Sequence, residues 1–250
     1  LHDALPISLG SNIANIALVL GVTALIAPLP IRGSLVRTEL PILTVAAIGT
    51  GLLLLDRHLG VMDGVILLCG LVVSLFLFKR YQSQHKNRPT QDIPAMTLAQ
   101  SIGWLVIGLI ILASGSHILV WGATNIATSL GVSDLIIGLT IVAFGTSLPE
   151  LAASIASARK GHHAMAIGNI IGSNIFNLLA VMALPGLIWP ANITDDALWR
   201  DYGLMLALTL ILFGIGFRAR RGGTINRLVG FVLLGIYIAY MLIIYYSAQV

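Results

Sequence analysis

Eight apolar runs of helix length, at roughly 9–31, 39–55, 61–78, 97–122, 135–158, 167–189, 202–217 and 228–247, set the terms on which this chain can fold. A helix that crosses the ~30 Å hydrocarbon layer needs about 20 mostly apolar residues, and each run approaches or exceeds that length. The 250 residues are 57% hydrophobic and 10% charged, whereas a soluble domain carries roughly 25% charged residues. A water-soluble fold is thereby excluded. The runs are continuously apolar and lack the alternation of an outer-membrane barrel strand, so helices are predicted. The fold class is an all-α membrane protein, with the lipid bilayer as its surroundings. The single cysteine, Cys69, lies in the third run. It can form no intramolecular disulfide, and a small buried apolar role is expected of it.

The net charge of +4 points to orientation rather than to nucleic acid, because the basic residues fall on one side. With the loop after the first run placed inside the cell and sides alternating thereafter, only Arg57 and Arg200 of the 14 Lys and Arg residues lie outside. Asp195, Asp196 and Asp201 then mark an outside loop. Residues 81–96, which include the polar stretch YQSQHKNRPTQDIP, form a cytoplasmic linker. His162 and His163, at the inside end of the fifth run, are expected to be solvated.

The hexapeptide Gly10-Ser11-Asn12-Ile13-Ala14-Asn15 recurs as Gly172-Ser173-Asn174-Ile175-Phe176-Asn177, identical at five of six positions and offset by 162. Five crossings separate the copies, and an odd number reverses direction through the membrane. The repeats are therefore inverted, the architecture of secondary transporters that bind substrate near the midplane where repeats meet. The two runs in residues 97–161 that precede the second copy have no counterparts before the first. This predicts an N-terminally truncated chain, with eight transmembrane helices present of an expected ten. The predicted organisation is residues 1–8 as a non-native or disordered N-terminus, 9–80 as the remainder of the first repeat, 81–96 as the linker and 97–250 as the second repeat.

Of ten acidic residues, only Glu150 sits deep in a run, where an ionisable group costs about 2.5–3.5 kcal/mol or more. No run interior offers it a Lys or Arg. Pro149, one residue earlier, removes a backbone hydrogen bond and displaces the carbonyl of Gly145, so a break or kink is predicted. Carbonyls freed from Ala143 to Thr146, the hydroxyls of Thr146 and Ser147, and the Glu150 carboxylate are the oxygen ligands that hard cations take. Ser11 and Asn15, like Ser173 and Asn177, stand four apart and share a helix face. A single GSNIxN copy serves close helix packing as well as it serves binding. Two inverted copies beside a GTSLPE helix favour binding. There is no phosphate-cradling loop, CxxC pair or catalytic triad pattern, so no enzyme, cofactor or ATP-driven pump is indicated, and no obligate protein partner is evident.

Gly138 to Glu150 (GLTIVAFGTSLPE) and Gly168 to Asn177 (GNIIGSNIFN) resemble the second α-repeat of the prokaryotic sodium/calcium exchanger family, within the broader cation/Ca²⁺ antiporter group. Gly10 to Asn15 resembles the end of its first repeat. The resemblance implies an exchanger bundle in a bacterial inner membrane, with cation ligands at Ala143 (carbonyl), Thr146, Ser147, Glu150, Ser173, Asn177, Ser11 and Asn15. Some members carry an acid where this chain has the amide of Asn177. The implied activity is Na⁺-driven Ca²⁺ export by alternating access. The alternatives are H⁺- or K⁺-coupled exchange on the same fold, or a truncated fragment that does not transport. The coding sequence upstream of Leu1 is expected to hold two further spans and another GTSxPE-like motif, which sequencing that region checks.

Overall fold

The structure, a computed structural model, describes residues 4–31, 35–84, 96–131, 137, 141, 143–218 and 223–247. In chain order the helices are α1 (Leu5–Ile26), α2 (Leu35–Asp56), α3 (Val61–Tyr81), α4 (Leu98–Ser129), α5 (Ala143–Thr146), α6 (Leu148–Arg159), α7 (His163–Ile188), α8 (Asp196–Arg218) and α9 (Arg227–Ser247). All but α5 and α6 are long and apolar enough to cross a membrane. The chain is a multi-pass integral membrane protein. The predicted fifth run is the one that is broken, and six of its first eight residues lie outside the described residues. Local signals set several ends. Thr97 and Gln100 form a reciprocal capping box that starts α4, and Gly131 and Gly161, both with positive φ, follow the ends of α4 and α6.

Inversion is visible in the packing. Ser8 of α1 meets Asn177 of α7, Asn12 meets Asn174, and Asn15 meets Ser173, so partner numbers fall as residue numbers rise and the two helices run antiparallel. Each is widened by a π-helical turn at the corresponding place, Ala14–Val19 in α1 and Asn177–Val181 in α7. In both, the carbonyl of the last motif asparagine accepts from the residue five on: Leu20 N–H to Asn15, and Met182 N–H to Asn177. Such π-turns cluster at functional sites.

The outer parts obey the same correspondence. Strand β1 (Leu29–Pro30) pairs antiparallel with β4 (Thr224–Ile225), and β2 (His58–Leu59) pairs with β3 (Ala191–Asn192). Each pair ties a connection from one half of the chain to a connection from the other. Helices cross between halves too. α1 meets α9 where a Cβ on Gly230 would stand 2.7 Å from the Gly21 carbonyl oxygen, and α7 meets α3 where a Cβ on Gly64 would stand 2.9 Å from the Ala183 carbonyl oxygen. The absent side chains let backbones touch, as in other membrane helix pairs.

α1 and α7 form the centre: 72% and 56% of their apolar windows are buried, against none for α4. Several expectations need correction. Residues 4–8 are helical rather than disordered, and buried Ser8 donates to the Asn177 carbonyl at 2.9 Å. Residues 81–84, assigned to the linker, continue the helix that begins at Val61, while 85–95 lie outside the described residues. Cys69 is exposed rather than buried, because it occupies the outward face of α3. Asp201 belongs to α8, not to a loop; it is 7% exposed, and it accepts from Arg200 at 2.7 Å and from the Tyr240 hydroxyl at 3.1 Å. The Arg57–Asp195 ion pair, 2.9 Å, joins two connections that the charge pattern had placed on one side.

The glycine crossings predict that Gly230→Leu, which drives a side chain into the α1 backbone, destabilises by about 1–3 kcal/mol. Gly235→Ala, with open space around it, should hold or raise stability; thermal unfolding of the two variants in detergent checks the contrast.

Candidate cation site

The α5–α6 break positions the acidic residue. Ser147 is a turn between the two short helices, and Pro149 lies in the first turn of α6, where its missing N–H costs nothing. The interruption is the one Pro149 predicted. The displaced Gly145 carbonyl is satisfied from outside the segment, by the hydroxyl of Ser116 on α4 at 2.7 Å. The Phe144 carbonyl accepts from Ser147 N–H at 3.1 Å. Glu150 therefore stands in the first turn of α6, half-buried, and none of the ion pairs among the described residues involves it.

Polar groups of α1 and α7 converge on this break. Ser11 Oγ lies 3.2 Å from Thr146 Oγ1, and Ser173 Oγ donates to Glu150 Oε1 at 3.2 Å. Asn15 Nδ2 donates to Ser173 Oγ at 3.3 Å and to Asn174 Oδ1 at 2.9 Å. Asn177 Nδ2 donates to Asn12 Oδ1 at 3.1 Å. Glu150 Oε2, Asn15 Oδ1 and Ser147 Oγ are buried with no hydrogen-bond partner. A buried oxygen without a donor is costly. One carboxylate oxygen and two neutral oxygens left in this way form an oxygen-rich set, which suits a hard cation and not an anion.

Of the residues singled out in sequence, Asn15, Ser173 and Glu150 form one chain of side-chain contacts and Ser11 meets Thr146, while Asn177 donates to Asn12, which in turn donates to the Asn174 carbonyl. Ser147 is buried at the break, and Ala143 opens α5. Sequence reading passed over Asn12 and Asn174, the middle asparagines of the two motifs. The signal was present, since both are retained in the two copies, but neither shares the Ser/Asn face and so neither was assigned. Ser116 was also missed; nothing in its local sequence connects it to Gly145. His162 and His163 are half-buried rather than solvated, each with a buried Nδ1 that lacks a partner.

The family profile described as "Sodium/calcium exchanger protein" matches residues 4–80 and 100–246. A protein of Alkalimonas amylolytica named antiporter CaxA is 41% identical over 257 aligned residues, covering 99% of this chain and 80% of that protein. Inner membrane protein YrbG of Escherichia coli (strain K12) is 37% identical over 252 residues, covering 97% of this chain and 77% of the relative. Among solved structures, the sodium-calcium exchanger NCX_Mj superposes with a TM-score of 0.79 at 30% identity, covering 95% of this chain and 75% of that one.

The Ser116 bond carries its own test. Ser116→Ala leaves the Gly145 carbonyl unsatisfied at the break and should cost about 1 kcal/mol, read as a lowered unfolding midpoint, while Ser129→Ala, at the exposed end of the same helix, should leave it unchanged.

Proposed function

Because the chain belongs to the sodium/calcium exchanger family, we propose that it is a secondary active antiporter that exports Ca²⁺ from the cell in exchange for Na⁺ by alternating access. The observation that carries this reading is that Glu150 Oε2 and Ser147 Oγ, at the break between α5 and α6, and Asn15 Oδ1, whose side chain reaches Glu150 through Ser173, are all buried without a hydrogen-bond partner. Glu150 supplies the charge. Asn15 and Asn177 supply amide oxygens, Ser11, Ser173, Thr146 and Ser147 supply hydroxyls, and Ala143 supplies a main-chain carbonyl. Ca²⁺ takes six to eight oxygens at about 2.3–2.6 Å, and a set that mixes one carboxylate with neutral oxygens serves Na⁺ as well. The two ions then compete for the same atoms, and that competition is what couples their movement.

The inverted arrangement supports alternating access. Related helix pairs lie on either side of the site, and rocking one half against the other exposes the same ligands first to one side of the membrane and then to the other. In this reading the halves are residues 4–84 and 97–250, the segment between them lies in the cytoplasm, and the protein resides in the bacterial inner membrane. The Na⁺ gradient across that membrane drives Ca²⁺ outward.

Na⁺-gradient-driven ⁴⁵Ca²⁺ flux in vesicles carrying the full-length protein tests the proposal. Glu150→Gln, which removes the charge and keeps the volume, should abolish the flux; flux equal to the parent's would refute the assignment. Flux driven by a pH gradient in Na⁺-free medium would replace Na⁺ by H⁺ as the coupling ion.

A further inference from the structure

An asparagine side chain is a poor cation ligand unless something fixes which way it faces. Its oxygen and its NH₂ group are nearly the same size, but one accepts and the other only donates. A cation is bound by the first and repelled by the second. A ligating asparagine therefore needs an acceptor on its far side to hold the NH₂ group away.

α1 and α7 supply that acceptor reciprocally. Asn15 of α1 gives both amide hydrogens to α7, to Ser173 Oγ at 3.3 Å and Asn174 Oδ1 at 2.9 Å, which leaves its own Oδ1 buried and unpartnered. Ser173 alone could not fix the orientation, because a hydroxyl both donates and accepts. Its proton is committed to Glu150 Oε1, and Asn174 Oδ1 can only accept. The corresponding contact runs the other way: Asn177 of α7 gives its amide to Asn12 Oδ1 of α1 at 3.1 Å. Under the repeat offset these two bonds are the same bond. Asn12 and Asn174 are 0% and 1% exposed, so they act only through their neighbours. Asn174 Nδ2 is itself buried without a partner. Asn174 thus keeps its oxygen on Asn15 although its own NH₂ group goes unsatisfied.

We infer that Asn12 and Asn174 are positioning residues that hold the amides of Asn177 and Asn15 with their oxygens toward the transported cation; this rests on the antiport reading above. The inference assigns a purpose to the one asparagine in each motif that does not share the ligand face. It also makes a prediction that a packing role does not. A carboxylate has two oxygens and no wrong face, so an aspartate at position 15 or 177 needs no orienting partner.

Equilibrium ⁴⁵Ca²⁺ binding to the purified full-length protein is the test. Asn174→Leu and Asn12→Leu should each raise the Kd about tenfold, equivalent to about 1.4 kcal/mol. Adding Asn15→Asp to Asn174→Leu, or Asn177→Asp to Asn12→Leu, should bring the Kd back to within about threefold of the matching aspartate variant alone. Leucine variants that bind as the parent does, or that weaken the aspartate backgrounds equally, would overturn the inference and leave only packing. Should the leucine variants fail to fold, Asn12→Asp and Asn174→Asp retain an acceptor oxygen and are expected to bind no more weakly than the parent; a tenfold loss in both would overturn it. If Glu150→Gln binds Ca²⁺ as tightly as the parent, the antiport reading fails instead, and the two failures are thereby distinct.

Discussion

Polar groups inside a bilayer find no water, so they must be satisfied by one another. In this protein the demand is met by α1 and α7, which run antiparallel through the centre of the bundle and exchange amide hydrogen bonds. Asn15 donates to Asn174, and Asn177 donates to Asn12. The two bonds are related by the repeat offset and run in opposite senses, as the antiparallel pairing of the two helices requires. From that pairing the rest follows. The glycine crossings of α1 with α9 and of α7 with α3, and the strand pairs β1–β4 and β2–β3, all repeat the same correspondence farther from the centre.

The two halves are equivalent in their helices but not in their chemistry. Within the described residues only the second half contributes a broken helix with an acid, where Pro149 splits the segment and Ser116 takes up the carbonyl it displaces. The carboxylate is thus delivered to the side of a central pair whose hydrogen bonds are already arranged. Ser173 links the two systems, since it accepts from Asn15 and donates to Glu150. Under the antiport proposal, this chain of bonds is where a cation held at Glu150 would bear on both central helices.

Much of this was legible from the residues alone. The apolar runs gave the spans, since hydropathy over about 20 residues is what the bilayer selects. The repeated GSNIxN and the odd number of crossings gave the inversion. Pro149 announced the break, because its ring removes a backbone hydrogen bond and crowds the carbonyl four residues back. What failed to show depends on direction rather than on composition. Cys69 and Asp201 were misplaced because a hydropathy window does not tell an outward face from an inward one; the first proved exposed and the second buried beside Tyr240. Ser116 could not be seen because it acts on Gly145, 29 residues away. Asn12 and Asn174 were in plain view in both motifs, but their partners lie across the helix pair, and only the packing brings them together.

The central claim is that a cation is held where the acid of the broken helix meets the amides of the paired helices. Crystals of the full-length protein soaked in Ca²⁺, with diffraction collected where calcium scatters anomalously, test it most directly. The account predicts an anomalous peak about 2.3–2.6 Å from Glu150 and from the Asn15 amide oxygen. A peak confined to surface acids such as Asp195 and Asp196, with none beside Glu150, would contradict it.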